Sequence, residues 1–135
     1  MKEIQITKNF ALTELCRTNT GLPNEPTPEV IPKLITLTEK VLQPVRDMLG
    51  FTIHVDSGYR SPAVNEHVGG KDDSQHLKGE AADLKSEDNA KMFYYIKDNL
   101  EFDQLIWEKG NAKQPAWVHV SYREGKNRKQ VINIK

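Results

Sequence analysis

Apolar residues recur at helical spacing through Val30, Ile31, Leu34, Leu37, Val41, Leu42, Val45 and Leu49, a pattern that predicts one long amphipathic helix ended by Gly50. Thr27 and Pro28 are suited to its cap and first turn. Pro32 falls in that first turn, whereas Pro44 lies deep enough to kink the last turns or split off a second helix. Upstream, Asn9 to Leu15 reads as a short helix, followed by a polar, proline-containing loop from Thr18 to Thr27. Downstream the hydrophobic period shortens. Phe51 to Val55 is a β-rich run leading into the loop Asp56-Ser57-Gly58-Tyr59-Arg60, and Ser61-Pro62 opens a short helix that ends by Gly69-Gly70. Strands are predicted at Ala81 to Leu84, Leu105 to Trp107, Trp117 to Ser121 and Gln130 to Ile134, with a helix capped by Ser86 and reaching about Leu100. Helices clustered early and short strands spread later predict an α+β fold. Its sheet is expected to be small and mainly antiparallel, with helices packed on one side.

The length of 135 residues and the lack of a Pro/Gly/Ser-rich linker predict a single domain over residues 1–135. The 19 basic and 19 acidic residues cancel, so no global field draws the chain to nucleic acid or an anionic membrane. Nucleic acid is not an expected partner, and the chain is expected to act as a monomer. Cys16 is the lone cysteine, which excludes an internal disulfide framework. Neither a secretory signal nor a stretch of about 18 apolar residues is evident, so membrane insertion is not expected. The expectation is a chain made in the cytoplasm that acts on its target after release or as part of a larger particle.

Candidate chemistry lies between Ser74 and Asp83 and again at His119. Two histidines and a carboxylate with one position left open are a donor set for catalytic zinc, which points to hydrolysis. Seven positions separate His76 from Asp83, a spacing natural for a loop that returns beside a strand, and Gly79 with the small pair Ala81 and Ala82 lets that loop close tightly. His119 alternates with Val118 and Val120, so on a strand its ring faces away from two apolar neighbours.

The segments Ser57-Gly58-Tyr59-Arg60-Ser61-Pro62, Asn65, Val68-Gly69-Gly70, Ser74-x-His76-x-x-Gly79-x-Ala81-Ala82-Asp83 and Trp117-Val118-His119-Val120-Ser121 resemble the M15 family of zinc D-Ala-D-Ala peptidases. The nearest likeness is to the compact members of phage lysins and bacterial cell-wall enzymes. It extends upstream to Phe10-x-Leu12-x-Glu14-Leu15 and to Leu42-Gln43-Pro44-Val45-Arg46, and so covers most of the chain. The resemblance implies a hedgehog/DD-peptidase-like fold, one Zn²⁺ held by His76, Asp83 and His119, and a peptidoglycan peptide as substrate. It also implies that Arg60 lies beside the scissile bond, where a guanidinium fork matches a carboxylate or a carbonyl oxygen gaining charge.

Hydrolysis further requires a general base within hydrogen-bond reach of the attacking water. Much of the family carries it three positions before the last histidine, which here is Ala116. Glu108 is the replacement candidate, brought alongside by a hairpin through Gly110 to Pro115, and Asp103 is the second choice. Ser74 and Gln75, flanking His76, are expected to bind substrate or brace the loop, and Tyr59 and Asn65 to support it. Asp56 is either a partner orienting a ligand histidine or a loop cap. His54 and His67 are read as structural or exposed, and Trp107 and Trp117 as groove or core residues. Two rivals stand beside a peptidase: a zinc-containing, non-catalytic cell-wall peptide-binding module on the same fold, and a zinc-free structural or particle-assembly protein.

Overall fold

The structure is a computed structural model that describes residues 3–135. Strands β1 (Gln5–Thr7) and β2 (Phe10–Ala11) form a small antiparallel pair, and α1 (Leu12–Leu15) follows at once. The helix expected from Asn9 therefore begins three residues later, because Phe10 and Ala11 pair with β1.

The long amphipathic helix runs as α2 (Ile31–Leu37), a π-helical turn (Thr38–Leu42) and α3 (Gln43–Leu49). Pro44 stands in the first turn of α3, the second helix that the sequence allows for, and the π-helical turn keeps the helical run continuous. A proline nitrogen cannot donate, and the widened turn before it, closed by the Gln43 N–H on the Thr38 carbonyl, accommodates the ring. Gly50 ends the run in the left-handed region at φ 73°, as the sequence predicts. The start differs from expectation: Thr27 and Pro28 belong to a preceding turn, in which the Val30 N–H bonds the Thr27 carbonyl at 3.0 Å, and Pro32 rather than Pro28 occupies the first helical turn.

The remaining elements are β3 (His54–Ser57), α4 (Pro62–His67), a 3₁₀ turn (Gln75–Lys78), β4 (Ala81–Lys85), α5 (Asn89–Asn99), β5 (Gln104–Glu108), β6 (Trp117–Ser121) and β7 (Gln130–Ile134). Strand β3 starts at His54, not Phe51, and reaches Ser57, because its partner β4 continues to Asp83. Asp88, not Ser86, caps α5 by accepting from the Lys91 N–H at 3.1 Å, while Ser86 Oγ accepts from the Asp88 N–H.

The fold is α+β. Its main sheet has the order β3-β4-β6-β5-β7 and is mixed: β3, β4, β6 and β5 pair antiparallel, and β7 joins β5 in parallel. The chain reaches β7 by crossing the lower end of β5, where the Lys129 and Gln130 N–H groups bond the Phe102 and Asp103 carbonyls at 2.9 Å.

Strand alternation separates the two faces of this sheet. Ala82, Leu84, Leu105, Trp107, Val118 and Val120 join one apolar core with Leu34, Leu37 and Val41 of the long helix and Met92, Phe93 and Ile96 of α5. Asp83, Ile106, His119 and the residues in register with them occupy the other face, away from that core. No described helix is long and apolar enough to cross a membrane.

Candidate metal centre

Sheet register brings the first two candidate ligands together. Asp83 on β4 and His119 on β6 are direct cross-strand partners, and His119 Nδ1 lies 2.9 Å from Asp83 Oδ1. His76 comes from the 3₁₀ turn beside them. Ser74 caps this turn by accepting from the His76 N–H at 3.2 Å, and Gly79 closes it in the left-handed region at φ 74°. A Cβ at Gly79 would also lie 2.7 Å from Val30 Cγ1, so the turn packs tightly on the start of the long helix.

His76 Nδ1 lies 2.7 Å from the Gly58 carbonyl. A carbonyl only accepts, so that nitrogen donates, and Nε2 is the ring nitrogen turned to the site. Nε2 faces Asp83 Oδ2 at 3.4 Å. A proton on Nε2, or a cation shared by the two groups, holds such a pair together. A spacing near 3.4 Å is also that of two donor atoms around a tetrahedral ion bound at about 2.0–2.2 Å.

The donor atoms of His76, Asp83 and His119 all lie within 4.8 Å of one another, and the two rings meet edge to face with centroids 5.1 Å apart. Donor chemistry and geometry therefore fit a divalent metal ion. Burial of Asp83 opposes its ionisation, but hydrogen bonds from His119 and His76, with their charge, outweigh it and hold the carboxyl well below the usual carboxylate range.

Arg60 is placed against the same carboxylate. Its Nη2 lies 3.5 Å from Asp83 Oδ2, its Nε donates to Ser57 Oγ at 3.2 Å, and its Nη1 to Asn65 Oδ1 at 3.4 Å. The loop bearing it is pinned on both sides: the Arg60 N–H donates to the His76 carbonyl at 3.0 Å, and the Tyr59 N–H to the Leu15 carbonyl at 2.7 Å. Gly58 makes the second contact possible, since a Cβ there would lie 2.3 Å from the Leu15 oxygen. Asn24, unremarked in the sequence, ties the polar loop to this one by donating to the Cys16 and Tyr59 carbonyls and accepting from the Ser61 N–H. A single asparagine in a polar loop carries no signal of its partners.

A groove of about 600 Å³ runs over the centre, and Arg60, Ser74, Gln75, Glu108 and Trp117 line it together with the candidate ligands. Glu108 lies across the β5–β6 ladder from Trp117, two residues along from the Ile106–His119 pair, so it shares their face. The turn predicted between Gly110 and Pro115 makes this pairing, with the Ala116 N–H on the Glu108 carbonyl at 2.9 Å. Burial pushes the Glu108 carboxyl up, the charge of His119 acts in the opposite sense, and that of Asp83 adds to the rise.

Other candidates lie elsewhere. Asp103 is wholly buried and its carboxylate is engaged by Arg128 and Gln75, which leaves it unable to serve as a base on a water in the groove. Asp56 does not orient a ligand: it pairs with His54 and Lys85, each at 3.3 Å, on the outer side of β3, and the Gly58 carbonyl takes the orienting role instead. His54 and His67 are exposed. Trp107 is in the core, with its Nε1 donating to the Asn111 carbonyl, whereas Trp117 lines the groove.

No curated protein matches the chain. A profile of the family described as Peptidase M15 matches residues 7–121, a span that includes the SGYR loop, the His76 turn, Asp83, Glu108 and His119. With a match over most of its length and a His-Asp-His group able to hold a metal ion, the chain belongs to the peptidase M15 family.

Proposed function

We propose that this chain is a zinc-dependent peptidase that hydrolyses peptidoglycan stem or cross-link peptides at a bond involving D-alanine. The observation that carries this reading is the convergence of His76 Nε2, the Asp83 carboxylate and His119 Nδ1 on one point in the wall of an open groove. His76, Asp83 and His119 hold one Zn²⁺, which when bound supplies Lewis-acid polarisation of a peptide carbonyl and activation of water.

The chain's own groups do the rest. Glu108, ionised, takes a proton from the attacking water and returns it to the leaving amine; its upward shift moves its basicity toward neutral pH, where a general base works best. Arg60 donates to the substrate, either to a carboxylate or to the carbonyl oxygen that gains charge. Its long contacts to Asp83 and Asn65 leave donor capacity for that purpose. Ser74 holds the turn, and Gln75 meets the peptide.

Ala116 favours a second reading, a zinc-containing module that binds cell-wall peptide without cutting it. Digestion of purified peptidoglycan, followed by mass spectrometry of the muropeptides, separates the two. The peptidase reading requires new termini at a D-alanine bond, abolished by chelation and restored by zinc. Zinc binding with intact peptides establishes the module instead.

A further inference from the structure

Asp103 is wholly buried yet charged, and its carboxylate accepts four hydrogen bonds. Oδ1 accepts from the Arg128 backbone N–H at 3.0 Å and from Arg128 Nε at 2.9 Å, and Oδ2 from Arg128 Nη2 at 2.9 Å and Gln75 Nε2 at 3.0 Å. A bidentate arginine of this kind keeps a carboxylate ionised, and an ionised carboxylate only accepts. The Gln75 atom facing it must therefore be the amide nitrogen, which fixes the flip of that side chain. Gln75 immediately precedes His76 and lines the groove.

With one N–H of its nitrogen bound to Asp103, the Gln75 amide keeps its carbonyl oxygen Oε1 turned away from that carboxylate, and no donor to Oε1 is present among the described residues. Resting on the peptidase reading above, we propose that Gln75 Oε1 accepts a backbone N–H of the bound peptide, and that Asp103 is the positioning residue that holds the amide in this sense. Gln75 thereby selects a peptide whose amide N–H faces the turn beside His76. An unanchored glutamine could flip to present either end; the buried Asp103–Arg128 pair removes this choice at the cost of desolvating one carboxylate.

The test reads equilibrium binding on the zinc-loaded full chain, so that no turnover intervenes. A synthetic stem pentapeptide ending in D-Ala-D-Ala is digested to completion, and the product peptide, which is cut no further, is titrated into the chain by calorimetry beside analogues in which one amide N–H at a time is replaced by an ester oxygen. For the wild-type chain, one ester position is expected to weaken binding about fivefold more than the others, the scale of one neutral hydrogen bond. In Gln75→Met that extra penalty disappears, because the acceptor is gone. In Asp103→Asn the amide is free to turn, and the penalty shrinks while zinc content is unchanged. An ester penalty of the same size in wild type and Gln75→Met overturns the proposal, whether or not Asp103→Asn folds. Failure of the wild-type chain to bind any stem peptide overturns the cell-wall reading and this proposal with it.

Discussion

Asp83 and His119 face each other directly across the β4–β6 ladder, with His119 Nδ1 2.9 Å from Asp83 Oδ1, so two of three candidate metal ligands are placed by strand register alone. A slip of β6 by one residue would turn His119 toward the apolar core and leave Asp83 without its partner. The third candidate, His76, depends on a tight turn and a single carbonyl.

Zinc is therefore expected to bind in a 1:1 ratio and to raise the thermal midpoint of the wild-type chain, because it binds the folded site and the unfolded chain lacks one. Asp83→Ala and His119→Ala should each lose stoichiometric zinc and the zinc-dependent rise. Metal content and melting curves with and without chelator check this; a full zinc equivalent retained by either variant removes that residue from the ligand set.

Replacing Glu108 with Ala or Gln should lower turnover by roughly 10²–10⁴-fold while zinc stays bound. The base acts ionised, and burial pushes its carboxyl up, so kcat/KM of the wild-type chain should fall on the acid side through a pH above the ordinary glutamate range. A variant with near-normal turnover, or with the same acid limb, would exclude Glu108 as the base.

The clamp at Asp103 should register in stability. Hydrogen bonds from Arg128 hold its carboxyl below the usual range, burial acts in the opposite sense, and Gln75 adds to the lowering. A folded-state value below the unfolded one contributes stability that is present above roughly pH 3.9 and is lost as the pH falls through the folded value. Asp103→Asn should accordingly be less stable than wild type at pH 7, with a gap that narrows below about pH 4. Urea midpoints at the two pH values measure it, and a gap independent of pH contradicts the ionic account.

Gly70 tests the support of Arg60 by packing alone. A Cβ at this position would lie 2.0 Å from Asn65 Oδ1 and 3.0 Å from Arg60 Nη1. Gly70→Ala should displace both side chains, cost about 1–3 kcal/mol of stability and weaken catalysis, while leaving zinc affinity close to wild type. Unaltered kinetics would show that the Arg60–Asn65 contact does not matter to the reaction.

Cys16 is buried, and that burial pushes its thiol up to about 12. At pH 8 it should resist thiol reagents in the folded chain and react at once in denaturant, as a colorimetric thiol assay would show. Rapid modification of the folded chain would mean that the α1 segment opens readily, and the SGYR loop with it, since Tyr59 hangs from the Leu15 carbonyl.

Much of this was legible in the chain. The helical period from Val30 to Leu49, the stop at Gly50 and the alternation around His119 each report the face of one element, because helix and strand geometry repeat every 3.6 and 2 residues. Where local pattern and structure differ, a contact between distant segments intervenes. Phe10-Ala11 was helical in pattern but pairs with β1, and Asp56 looked able to orient a ligand but points to His54 and Lys85. In both cases a neighbour distant in sequence decided the outcome.

The sequence by itself determined the residue types of the centre, the spacing from His76 to Asp83 and the face on which His119 lies, since these are properties of local chain geometry. Only the tertiary structure decided that Gly58, 18 residues from His76, orients its ring, and that Asp103 is held by Arg128 and Gln75 rather than free to act as a base. It also placed Glu108 on the face of His119, through the β5–β6 register. The physical reason is that periodicity specifies which way a side chain points, whereas the atom it meets depends on strand order, register and the path of the connecting loops.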